Sequence, residues 1–150
     1  MTSATLTAHA TKPDLRDVID GADLRRRRRR ELVDDIIRRA ALLPPADGAL
    51  LRLVFEDGRP VSEVCALRGG STARGLRRRV RILVRRVLSD RFRYVLVHRD
   101  QWPTTRRRVA TRCVIEGRPI RDAAAELGLS VYAVRRHKMA IDALCEGSGE

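Results

Sequence analysis

The sequence predicts an all-α protein: two tandem three-helix units behind a basic N-terminal helix. Three observations carry this. Apolar residues recur at helical spacing through most of the chain. Pro and Gly fall where helices open and close. One stretch is also written twice. LPPADGALLRLVFEDGRPVSEVCALRGGS, from Leu43, returns as WPTTRRRVATRCVIEGRPIRDAAAELGLS, from Trp102. The offset is 59 (117 − 58 for the glycines Gly58 and Gly117), and no gap is needed across the span. Pro44 falls on Pro103, Leu50 on Val109, Val54 on Cys113, Pro60 on Pro119, Gly69 on Gly128 and Ser71 on Ser130. A repeat of this kind marks one supersecondary unit used twice.

Residues 1–13 read as a disordered polar leader, and 14–42 as a basic helical segment. There Asp23 is placed to cap a helix carrying the run Arg25 to Arg30. Leu32, Val33, Ile36, Ile37 and Ala40 form its apolar face, and Asp34 and Asp35 stand four residues before Arg38 and Arg39. Residues 43–100 are the first unit with its linker, and 101–150 the second. Each unit is a proline-started helix closed by Gly58 or Gly117, a short helix ending near Leu67 or Leu127, and a longer basic helix. Between them, SDRFRYVLVHRDQ fits a short helix capped by Ser89 or Asp90; the alternation Phe92, Tyr94, Leu96 fits a strand less well, since a lone strand has no partner.

Composition narrows the function. The 150 residues hold 32 Lys+Arg against 19 Asp+Glu, a formal net charge of +13. Such an excess favours a polyanionic partner. Aromatics are only 3%, which argues against base-stacking on single strands. Cys65, Cys113 and Cys145 are far apart and read as small buried hydrophobes, with no His nearby in sequence to complete a metal site. No cofactor or metal is expected. No apolar run spans a membrane and no secretory signal opens the chain, so a cytosolic location without membrane association is expected. An enzyme is disfavoured, because no catalytic triad, paired acid cluster or phosphate-cradling loop has a usable spacing.

The second copy carries the most specific motif. Ala124-x3-Gly128-Leu129-Ser130-x3-Val134 has helix-turn-helix spacing: a small residue where two helices cross, a glycine for the left-handed turn, a hydroxyl cap, and an apolar residue facing the core. Ser130, Tyr132, Arg135, Arg136, Lys138 and Met139 are the candidate DNA-contacting residues of this copy. In the first copy they are Ser71, Thr72, Arg74, Arg77, Arg78 and Arg81. The first turn is disturbed, since Gly75 aligns with Val134 and Arg68 with Leu127; one extra turn residue would bring Leu76 into the role of Val134.

As a whole, Leu43-Pro44-Pro45, the helix ending Glu56-Asp57-Gly58 and the following Val61-Ser62-Glu63-Val64 resemble region four of bacterial sigma factors. Trp102-Pro103 and Gly117 to Arg136 resemble the same unit. The resemblance implies a bacterial transcription regulator that binds double-stranded DNA through the last helix of each unit, at the nucleoid, and sometimes touches RNA polymerase. The chain before Leu43 is too short and too poor in aromatics for the promoter-melting region of a complete sigma factor. One chain with two units reads two half-sites as a monomer; a homodimer is the other arrangement. The competing expectations are an adaptor docking on RNA polymerase or a sigma factor, and an Arg-rich RNA binder suggested by Arg25 to Arg30.

Overall fold

A computed structural model describes residues 15–149, with side chains from residue 23. The expected leader, residues 1–13, lies outside the described residues. Among these residues the fold is all-α, with eight α-helices and no strand: α1 Leu15–Ala40, α2 Pro45–Phe55, α3 Val61–Arg68, α4 Ala73–Val87, α5 Asp90–His98, α6 Thr104–Ala110, α7 Ile120–Leu127 and α8 Val131–Gly147. A 3-10 turn, Arg99–Gln101, precedes α6, and a π-helical turn, Thr111–Ile115, follows it.

The described residues divide into two compact units, one ending at Leu32 and one beginning at Val33. Within the first, the expected cap at Asp23 does not form. α1 starts at Leu15 and runs through Asp23 without a break, so this residue is in a helix interior. Arg25 to Arg30 are all exposed, and Arg27 pairs with Glu31 one turn on. Leu32, expected on the apolar face, is 49% exposed.

The second unit holds the core. Ile36 and Ala40, on the last turns of α1, are buried, and Val33 and Ile37 half-buried. Asp35 alone takes both arginines expected to pair there, Arg38 at 3.4 Å and Arg39 at 3.6 Å. The Arg39 guanidinium also donates to the Val87 carbonyl at the end of α4.

The repeat is visible in the backbone. At the end of α2, Asp57 N–H donates to the Arg52 carbonyl and Arg59 N–H to Leu53; 59 residues on, Glu116 donates to Thr111 and Arg118 to Arg112. The widened turn closing each first helix is thus the same device, drawn out in the second copy into the π-helical turn. Gly58 and Gly117 follow it with φ +64° and +67°, a region that L side chains avoid. The prolines open helices as expected: Pro44, Pro60, Pro103 and Pro119 are extended N-cap residues whose carbonyls accept the first helical N–H bonds, and among the described residues only Pro45 is inside a helix.

Burial follows the same offset: Leu50 with Val109, Leu51 with Ala110, Val64 with Ala123. It also extends further back than the sequence match. Ile36 and Val95 (95 − 36 = 59) are both buried, and half-buried Val33 answers to buried Phe92. The duplicated element therefore includes a preceding helix: the end of α1 stands before α2 as α5 stands before α6. The linker between the copies is helical as expected, with Ser89 Oγ accepting from Phe92 N–H to start α5. α5 packs on both α4 and α8 and so joins the copies. The three cysteines are free and half-buried rather than buried.

Candidate nucleic-acid interface

Each copy ends in a basic helix whose start is fixed by a side-chain cap. In the second, α7 closes on Gly128 with φ +66° and ψ +33°, left-handed as the motif requires. Ser130 Oγ then accepts from Ala133 N–H at 3.0 Å to begin α8. Ala124 is buried on α7, which packs on α8, and Val134 is fully buried.

In the first copy the turn is one residue longer. Gly69 has φ +63° but ψ +163°, and Gly70 has φ +72°. Ser71 aligns with Ser130 by sequence but does not cap. Thr72 does, its Oγ1 accepting from Gly75 N–H at 3.0 Å. The Ser71 carbonyl accepts from the Cys65 thiol instead. From here the copies correspond at an offset of 58 (130 − 72), which brings Leu76, 5% exposed, onto Val134 and leaves Gly75 exposed.

That register defines the outer faces. α4 buries Leu76, Val80, Leu83 and Val87, at i, i+4, i+7 and i+11. Arg74, Arg78, Arg81 and Arg85 repeat this spacing two residues earlier, about 200° around the helix, so they form a stripe opposite the core. All four are exposed, and Arg77 stands exposed on the flank. On α8 the equivalent stripe is Tyr132, Arg136, Met139 and Ala143, with Arg135 on the flank in the place of Arg77. Tyr132 is 73% exposed and Met139 71%.

The candidate residues differ in how free they are. Among the described residues, Arg74, Arg77, Arg78, Arg81, Arg135 and Arg136 have no carboxylate oxygen within 4.0 Å. Lys138 is half-buried and paired to Asp142 at 3.5 Å; one turn after buried Val134, and equivalent to buried Val80, it lies on the inner side of α8 and away from the stripe. Arg79 is taken by a bidentate fork onto Asp47, at 2.8 to 3.1 Å, and braces α4 against α2. Arg85 belongs with the others and was missed; the signal was its position four residues beyond Arg81.

Burial first, then the Arg106 and Arg136 guanidiniums, hold the His137 imidazole below its ordinary value. Burial raises the Cys113 and Cys145 thiols. Among the described residues no cluster of His, Cys, Asp or Glu is placed to hold a metal ion, and no helix is long and apolar enough to cross a membrane.

The fold and these faces define the class as an all-α protein with an internal repeat and two outward, capped, basic helices. No family model, curated protein or solved structure matches the chain.

Proposed function

We propose that the chain is a sequence-preferring, double-stranded DNA-binding transcription regulator of bacterial type, active at the nucleoid. Its two units resemble sigma factor region four, and each offers its last helix, in a helix-turn-helix, to a major groove. The observation that carries this reading is the pair of outer stripes: four arginines on α4, and on α8 Arg136 with Arg135 on its flank, none of them within 4.0 Å of a carboxylate oxygen among the described residues. A stripe opposite the core contributes nothing to packing, and clustered guanidiniums repel one another unless an anion meets them.

The stripes suggest a division of labour. The first is all arginine, which suits phosphates and carries little sequence information. The second mixes arginine with Tyr132 and Met139, which suits base edges. Ser130 is exposed at the N-terminal end of α8, where its hydroxyl can donate to a phosphate while its oxygen serves as the cap. Lys138 contributes only if it exchanges Asp142 for the nucleic acid.

Arg136→Ala is expected to cost about 1–3 kcal/mol and to relax sequence preference. Arg78→Ala, its equivalent, is expected to weaken binding to all duplexes alike. Competitive binding to a random duplex library with each variant measures both. Loss of preference in Arg78→Ala and not in Arg136→Ala would reverse the assignment. Preferential capture of RNA polymerase with no duplex bound would favour the docking adaptor.

A further inference from the structure

The two outer stripes differ at three positions, and two of them are chemically unusual. Where α4 has Arg74 and Arg81, α8 has Tyr132 and Met139, the two most exposed large apolar side chains among the described residues. They sit on the face of α8 opposite buried Val134 and Ile141, so the core of this chain has no use for them. They also flank a charge. Tyr132, Arg136 and Met139 lie at i, i+4 and i+7, so the guanidinium stands between two apolar groups on one line. Arg135 is exposed beside them, and among the described residues neither it nor Arg136 has a carboxylate oxygen within 4.0 Å.

An occupant of this face must therefore be anionic overall and offer apolar groups at intervals. Duplex DNA does both, because its major groove exposes the thymine 5-methyl between acidic backbones. The spacing is compatible. Seven helical residues advance about 10.5 Å, close to three base-pair steps of about 3.4 Å each.

Resting on the DNA-reading proposal above, we infer that Tyr132 and Met139 are specificity-determining residues that recognise thymine methyl groups on either side of the position met by Arg136. Met139 suits this task because its unbranched thioether adapts to a small apolar target. Tyr132 lays a ring edge or face on the methyl and keeps its hydroxyl in water. The first copy, with arginine at both equivalent positions, has no such preference.

The test uses the full chain and a duplex enriched from a random library, prepared once with thymine and once with uracil at every thymine position. Uracil keeps the pairing and loses only the methyl. Each buried methyl-sized group is worth about fourfold in affinity, so two are worth about fifteenfold. The thymine duplex is expected to bind about fifteenfold tighter than the uracil duplex. Met139→Ala and Tyr132→Ala are each expected to reduce that ratio about fourfold, with unchanged circular dichroism because both side chains are exposed. Tyr132→Phe is expected to keep the full ratio. Equal binding of the two duplexes by the unmodified chain would overturn this inference and leave DNA reading intact. An undiminished ratio in both alanine variants would also overturn it. Failure to bind any duplex at low salt would remove the reading on which it rests.

Discussion

Gly117→Ala changes two things at once, and the repeat supplies the control that separates them. Gly117 has φ +67°, and Gly58, its equivalent, φ +64°. An alanine at either position enters left-handed backbone at about 1–2 kcal/mol. Around Gly58 the added methyl meets nothing within 4 Å. At Gly117 it runs into Cζ of Arg86, whose guanidinium lies across the glycine. That guanidinium donates to the Glu116 carbonyl at 3.0 Å, linking α4 of the first copy to the turn closing the first helix of the second. The side chain is half-buried, enough for desolvation, and secondarily Arg79, to lower its pKa while Asp47 opposes them. The methyl must push it aside. A hydrogen bond from a charged donor is worth about 1.5–3 kcal/mol net, and partial exposure sets this one near the lower end. Gly58→Ala is thus expected to cost about 1–2 kcal/mol and Gly117→Ala about 1.5 kcal/mol more. Urea unfolding of both variants measures the difference. In an Arg86→Ala background the excess at Gly117 is expected to vanish. Equal costs at the two glycines in the unmodified background would refute the argument that Arg86 clamps the copies together over Gly117.

The remaining predictions concern α7, α8 and the turn between them. Ala124→Leu overpacks the buried face between α7 and α8 and is expected to cost typically 1–3 kcal/mol, with loss of DNA binding tracking the loss in Tm. Gly128→Val is expected to act the same way through its left-handed backbone, and unchanged melting in both variants would remove the helix-turn-helix from the account. His137 is expected to titrate below its ordinary 6.5 and to move up in Arg136→Ala, measured by NMR. A depressed imidazole pKa means that the unfolded chain takes up its proton first. The contribution of His137 to stability is therefore complete above about pH 6.5 and is lost as pH falls below that value through the lower folded-state pKa; a folded pKa at or above 6.5 would contradict the burial and neighbouring guanidiniums described.

Much of this arrangement was legible because it depends on short-range chemistry. Proline, glycine and hydroxyl residues marked where α2, α3 and α7 begin and stop and where α8 begins, and the apolar period marked their inner faces. The lengthened first turn was readable too, since Gly75 cannot fill the place of Val134 and Leu76 can. The failures share a cause. Asp23 has the chemistry of a cap, but nothing upstream of it, Gly21 included, stops the helix, so α1 runs through. The full extent of the repeat was hidden because α1 and α5 share only a few buried positions, such as Ile36 with Val95, while their starts and exposed faces differ. Ser71 and Thr72 are both competent caps, and only the conformations of Gly69 and Gly70 decide between them. Lys138 was misplaced because the register that sets Leu76 on Val134 also sets it on buried Val80, on the inner side of α8 with Asp142 one turn on.

The most direct test of the central claim is a fluorescence anisotropy titration of the full chain against a selected duplex from 50 to 200 mM salt, with RNA of the same sequence as competitor. If the two arginine-bearing stripes meet six to ten phosphates between them, affinity is expected to fall by about 10³ to 10⁵ across that range, and RNA to compete poorly. A nearly flat salt response, or RNA that displaces the duplex at equal concentration, would contradict the account.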